Sequence, residues 1–396
     1  MDELAGWRKE FPILERTTYL ISNSLGAMPR AVRDQMDDYA HTWETRGVRA
    51  WEESWWEMAA RVGDRIGELL GAGPGQVSLH QNVTLAQAVV SSCFDFSGQR
   101  NKVVMVDLEF PSVLYFYLEQ RRRGARVTIV PSPDGVHVDL EGLLRAIDDE
   151  TLLVPISQVL FRSATIVNAQ AIVRRAHEVG AHVILDLFQA TGTVPIDVGA
   201  LETDFAVGGV LKWLCGGPGV AYLYVREDLQ RRLEPALTGW MAHQRPFDFA
   251  VGPIERREDG FRFLNGTPQV PALYACQPGI GIIREVGVER IRAKSMRQTA
   301  RLVEGARARG WRVHTPLDPA ERAGTVSIDC PHAAETTREL LAREILVDYR
   351  PGAGIRLSPH FYNEDDELDF ALEQIEEILR TEAWRRHAKG SAQAGS

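Results

Sequence analysis

The stretch DFAVGGVLKWLCGGPG, residues 204–219, carries a single basic side chain, Lys212, between an apolar run and a glycine-rich turn. An amine placed where a buried strand runs out loses hydration, which favours its neutral, nucleophilic form. Two other stretches end in the same manner. In ILDLFQATG an apolar run stops at Asp186, 26 residues before Lys212, with Gln189 three residues further on. In HQNVTLAQAV, Val83 and Thr84 stand at a strand-to-helix step, where unpaired backbone N–H groups hold an anion. Ligands of open α/β sheets sit outside the carboxyl ends of the strands, and all three features fall at such ends.

A lysine to bond an aldehyde, a carboxylate to keep a pyridinium nitrogen protonated and a helix start to hold phosphate are together the needs of pyridoxal 5′-phosphate. Gln189 is placed to hydrogen-bond the ring's phenolic oxygen. Taken singly, Asp186 reads as a metal ligand or helix cap and Lys212 as a surface residue; the combination favours the cofactor. A dinucleotide site is not supported, because GGVLKWLCGGPG supplies no GxGxxG opening a helix. CGGPG reads as a tight turn between two strands, with Cys215 structural.

The elements that must position these residues alternate between helix and strand from about 55 to 235. WWEMAARVGDRIGELLGA has helical periodicity and ends on glycine, QVSLH is a short strand, and TLAQAVVSSCFDF opens a helix at Thr84. KVVMVD (102–107) and TLLVPISQVL (151–160) are the continuous apolar runs of buried parallel strands. AQAIVRRAHEVG, closed by Gly180, leads into the strand AHVILDLF, a crossover unit. DFAVGGV and GVAYLYV add strands on either side of Lys212. Beyond about 280 long helices alternate with a few strands. The expected architecture is α/β, a large domain with a mostly parallel sheet between helices and a smaller α+β C-terminal domain. The expected bounds are an N-terminal arm over 1–40 packing near the small domain, a large domain over 41–278, a small domain over 279–384 and a disordered tail over 385–396.

The composition, 396 residues at 44% hydrophobic and 25% charged, is that of a soluble globular protein. A net charge of −9 argues against nucleic acid or an anionic membrane as partner. No 18-residue apolar run occurs, and the N-terminus lacks an apolar signal core. Cys93, Cys215, Cys276 and Cys330 are scattered without metal-ligand spacing, so no metal is expected, and a reducing, cytoplasmic setting fits.

Several longer stretches carry a resemblance through their order and spacing: YLISNSLGAMPR, WETRGVRAWEESWWEMAARVGDRIGELLGA, EFPSVLYFYLE, DLFQATGTVPIDV, KWLCGGPG, LTGWMAH, RFLNGTPQVPAL and ILVDYRPGAGIRLSPHFYN. By these the chain resembles, over about 16 to 380, the class V branch of fold-type I pyridoxal phosphate enzymes, and most of all bacterial-type kynureninases. The resemblance implies that Lys212 is the Schiff-base lysine, Asp186 the pyridinium partner and Phe110 the residue stacked on the ring. It implies that Val83 and Thr84 bind phosphate, and that Trp240 and Thr267 reach the phosphate of the other subunit's site in a homodimer. Arg356 is implied as the bidentate clamp on the substrate α-carboxylate. Ser24 is implied near the substrate. Trp51 lines the substrate pocket or packs structurally.

The sequence also departs from the kynureninase pattern. Leu211 stands where the resemblance calls for a tyrosine before the lysine, Val113 where it calls for an aspartate, and Gln189 where it calls for a histidine. DYRPGAGIR, the loop before Arg356, holds no cysteine, which argues against a persulfide mechanism. The implied function is cleavage of a bond at Cβ of an L-amino acid, with kynureninase-type hydrolysis of L-kynurenine to anthranilate and L-alanine first. The alternatives are a C–S β-lyase acting on an S-substituted cysteine and a class V aminotransferase.

Overall fold

The computed structural model describes residues 3–388. Seven strands form the central sheet: β1 (Val77–His80), β2 (Lys102–Val106), β3 (Arg126–Val130), β4 (Thr151–Ser157), β5 (His182–Asp186), β6 (Phe205–Gly209) and β7 (Ala221–Val225). Their order is β1-β7-β6-β5-β4-β2-β3, with β7 antiparallel to both of its neighbours and every other pair parallel. Both faces of the sheet are covered, and the apolar runs show why. Val104 and Val106 enter one core cluster while Val103 and Met105 enter another, as the two-residue period of a strand requires.

A second sheet, β8 (Arg312–Val313), β9 (Val326–Asp329), β10 (Asp348–Arg350) and β11 (Gly354–Leu357), is antiparallel in the order β10-β11-β9-β8. Helices Val288–Ala308 and Asp365–Arg380 pack against each other and share its core cluster. The N-terminal segment joins the two sheets. Thr18–Tyr19 pairs in parallel with Ile345–Leu346, and Gly26 N–H donates to the Leu211 carbonyl. The expected α/β architecture is therefore the one observed. Ala383–His387 forms a helical turn, so structure extends past 385, where the sequence reading began its disordered tail; residues 389–396 lie outside the described part.

The sheet order carries the functional geometry. From β2 the chain runs outward to β3 and then returns to β4 on the other side of β2, so the direction of winding reverses between β2 and β4. Such a reversal opens a crevice at the carboxyl ends of the strands. Glu109 and Phe110 follow β2, Ser157 ends β4 and Asp186 ends β5.

The opposite end of the sheet is held by one carboxylate. Asp204, 1% exposed, accepts from the Val183 N–H at 2.8 Å, pairs with His177 at 3.0 Å and His182 at 3.2 Å, and pairs with Arg226 at 3.2 Å. Burial alone would raise its pKa, but the hydrogen bonds from His182, Val183 and His177 prevail and hold it below the usual carboxylate range. Asp204→Ala is expected to cost about 3 kcal/mol in urea denaturation at pH 7. Because the folded value is depressed, this contribution is complete above the unfolded carboxylate value of about 4 and is lost as the pH falls below it. The wild-type and variant curves should therefore converge in acid.

Candidate functional site

Lys212 follows β6 and enters a turn in which Cys215 takes a left-handed conformation with φ of 52°. Two glycines let other segments press on this turn. A Cβ at Gly26 would lie 2.1 Å from the Lys212 carbonyl oxygen, and one at Gly279 would lie 2.3 Å from that of Leu214. The lysine side chain runs between two aromatic rings, its Nζ 4.4 Å from the centroid of Phe188 and 5.7 Å from that of Phe110. Burial pushes its pKa down to about 8. Asp186 opposes that shift, while Arg356 and Arg350 add to it.

Asp186 is buried, and burial pushes its carboxyl up to about 6, against the Phe188 N–H and the charge of Lys212. Its Oδ1 accepts the Phe188 N–H at 2.9 Å, and Oδ2 has no hydrogen-bond partner among the described residues. Phe110, 43% exposed, lies edge-on to Phe161 with centroids 5.2 Å apart. The helix Val83–Ser91 is capped by Asn82, whose side chain accepts the Leu85 N–H; the N–H groups of Val83 and Thr84 are left without partners among the described residues. Lysine, carboxylate, exposed ring and open helix start thus stand at one end of the sheet.

Gln189 is tied on both sides: its Nε2 donates to the Asn23 carbonyl at 3.0 Å and its Oε1 accepts the Trp213 indole N–H at 2.9 Å. One amide N–H remains for a ring oxygen. The neighbouring Asn23 side chain, buried and without a partner among the described residues, is a polar group that the sequence reading missed.

Arg356, 2% exposed, is likewise engaged. Its Nε and Nη2 form a fork on Asp348 at 2.7 and 2.5 Å, Nη1 donates to the Phe161 carbonyl at 2.6 Å, and Nη2 lies 3.3 Å from Ser24 Oγ. Ser24 also donates to Asp348 at 2.7 Å, and Arg350 reaches the same carboxylate at 3.2 Å. Asp348 and Arg356 are directly opposite in the β10–β11 register. Four of the five guanidinium N–H groups thus have acceptors within the protein, including both on Nη2, which leaves one N–H on Nη1; the bidentate clamp that the resemblance implies needs Ser24 to give up its place. Asp348 and Arg350 were missed in sequence, although both stand in the quoted DYRPGAGIR.

Trp51, Trp240 and Thr267 are elsewhere. They line a cleft of about 800 Å³ together with Val48, Trp56 and Phe247, and neither Lys212 nor Asp186 borders it. Trp56 lies edge-on to Trp240 and tilted against Phe247, with ring centroids 5.2 and 4.8 Å apart. Of the other aromatic residues in this region Trp55 is buried, whereas Trp43, Phe247 and Phe249 are exposed. Too little apolar chain lies over them to cover so many rings.

A family model, aminotransferase class V, matches residues 18–369. The chain belongs to that family. This class V protein is similar to an uncharacterized aminotransferase of Bacillus subtilis, 31% identical over 93% of this chain and 96% of the relative. It is similar also to a kynureninase of Burkholderia pseudomallei, 30% identical over 97% of this chain and 94% of that one. Among solved structures it resembles a cysteine desulfurase of Thermococcus onnurineus, with a TM-score of 0.85 and 22% identity over 95% and 98% of the two chains. It resembles a cystine C–S lyase in complex with cysteine persulfide, with a TM-score of 0.81 and 19% identity over 92% and 98%. The cofactor of this class V enzyme is pyridoxal 5′-phosphate, and the residues present fit it. The open N–H groups of Val83 and Thr84 would take the phosphate, Asp186 Oδ2 the ring nitrogen, Phe110 the ring face and Lys212 the aldehyde. Once bound, that group stores the electron pair released when a bond at Cα breaks. Among the described residues, no helix is long and apolar enough to cross a membrane.

Three outcomes are expected from this geometry. Borohydride reduction of the holoenzyme should mark the Lys212 peptide, and Lys212→Ala should stay colourless. A lysine at about 8 has a neutral fraction at pH 7 about 300-fold above that of an ordinary lysine. Reconstitution of the apoprotein should therefore accelerate as the pH rises toward about 8 and level off above it. Asp348→Asn, which loosens the fork on Arg356, should raise KM for an amino-acid substrate about tenfold with a smaller change in kcat.

Proposed function

We propose that the protein cleaves a bond at Cβ of an L-amino acid, with kynureninase-type hydrolysis of L-kynurenine to anthranilate and L-alanine as the reaction. The observation that carries this reading is the aromatic cleft. Trp51, Trp240 and Thr267, implied by resemblance to serve substrate and phosphate, gather on one surface of the chain apart from its own Lys212. A homodimer resolves the separation: the cleft of one copy, with Trp51, Trp56, Trp240 and Phe247, closes over the lysine of the other and offers an aryl side chain flat partners.

Within that site Arg356 holds the α-carboxylate by its remaining Nη1 N–H and by the Nη2 N–H that Ser24 releases, its angle fixed by Asp348 and the Phe161 carbonyl. The Lys212 amine takes the α-proton, its neutral form favoured by burial. Asp186 holds the proton on the ring nitrogen. Full-length similarity to a kynureninase supports the reaction.

A second reading, β-elimination from an S-substituted cysteine, is favoured by two positions. Leu211 brings no phenol next to Lys212, and Val113 is packed in the core at 2% exposure. Elimination needs only a leaving group at Cβ. A persulfide route is disfavoured, because all four cysteines have thiols that burial pushes well above the ordinary range.

Incubation of the holoenzyme with L-kynurenine should release fluorescent anthranilate. Pyruvate and free thiol from an S-alkyl cysteine, with kynurenine untouched, would establish the second reading. Transfer of the amino group to an α-keto acid, with both other assays silent, would establish transamination.

A further inference from the structure

The residue just before Phe110 has no part in the steps above. Glu109 is 1% exposed and has no cationic partner among the described residues. Its Oε1 accepts the Ser157 N–H at 3.0 Å, and its Oε2 meets the Ser157 hydroxyl. As a donor this hydroxyl favours the ionised carboxyl, and by rotating it can still accept from the protonated one. Ser157 ends β4 and stands directly opposite Asp186 in the β4–β5 register. Two buried carboxyls, one just past β2 and one at the end of β5, therefore flank the end of β4 with its serine between them.

Few charges face this pair. Asp186, from β5, faces Glu109; Lys212, from the turn after β6, faces Asp186. Arg356, Arg350 and Asp348, from β10 and β11, bear on Lys212 in turn. One cation cannot compensate two buried carboxylates, and an uncompensated buried acid keeps its proton. Asp186 has the cation. Burial pushes Glu109 up to about 8, with the charge of Asp186 adding to the rise against the bonds from Ser157, while Asp186 reaches only about 6.

We propose that Glu109, linked through Ser157, is a positioning residue for Asp186: it holds a proton beside Asp186, so that Asp186 is the one anion presented to the cofactor's ring nitrogen. The coupling rests on Asp186 serving that nitrogen. Ionising Glu109 places a second negative charge behind Asp186, which strengthens the hold on protons at the ring nitrogen and at Lys212. Glu109→Gln removes that charge while keeping the size and an acceptor oxygen.

The test has two arms. In the apoprotein, the unfolded carboxyl is ionised above about 4.5 whereas the folded one keeps its proton up to about 8. Wild type therefore loses stability relative to the glutamine variant as the pH rises through that window. The Tm of Glu109→Gln minus that of wild type should widen by about 5 °C or more between pH 5 and 8 and then stay constant. A gap that does not change with pH overturns the proton-holding assignment. In the holoenzyme, absorbance of the bound cofactor near roughly 420 nm, followed from pH 6 to 10, should show a step near pH 8 in wild type that Glu109→Gln lacks. Identical titrations overturn the coupling to Asp186. Ser157→Ala, which removes a hydroxyl that favours the anion, should move the step above pH 8, and it carries the test if the glutamine variant does not fold. Wild-type protein that stays colourless on reconstitution overturns the coupling together with the cofactor reading. The Tm arm, which needs no cofactor, still reports whether Glu109 holds a proton.

Discussion

The rest of the structure depends on an amine and a carboxylate, the half-buried Lys212 and the buried Asp186, drawn out of water at the carboxyl ends of two neighbouring strands. Removing both from solvent shifts each toward its neutral form, and each restores part of the other's charge. That balance leaves the amine reactive near neutral pH and the carboxylate able to hold a proton on a ring nitrogen. A surface placement of either group would forfeit the effect, because water would screen it.

The fold meets this requirement by converging on one crevice. The reversal of winding between β2 and β4 sets Phe110, Ser157 and Asp186 side by side, and the first helix after β1 brings its unpaired N–H groups to the same end. The N-terminal segment then closes the back of the site, with Gly26 on the Lys212 turn, Asn23 on Gln189 and Ser24 on Asp348. Backbone bonds of Leu20 and Ser22 with Ser358, just past β11, tie that segment to the strand that bears Arg356, so the cofactor end and the carboxylate end of the site are fixed by one stretch of chain.

Arg356 shows how a charged binding group is kept ready. A guanidinium at 2% exposure would be costly if unpaired, and Asp348, Phe161 and Ser24 satisfy four of its five donors, leaving one N–H on Nη1. The aromatic cleft is the converse case. Its rings are only partly covered within one chain, and a second copy would give them both burial and a role.

Much of this was legible in the sequence. The apolar runs that end at Asp186 and Lys212, and the helix start at Val83 and Thr84, follow from local periodicity, and the α/β architecture follows from their alternation. What the sequence could not supply was pairing across the chain. Asp348 beside Arg356, Glu109 against Ser157, and Gln189 between Asn23 and Trp213 are contacts whose partners lie eight to 166 residues apart. The separation of Trp51, Trp240 and Thr267 from Lys212 belongs to the same class. Strand and helix periods are properties of a few consecutive side chains, so the sequence alone determined the elements and the reactive groups at their ends. Burial, and with it the charge state of each group, is a property of everything packed around it, and only the tertiary structure decided that.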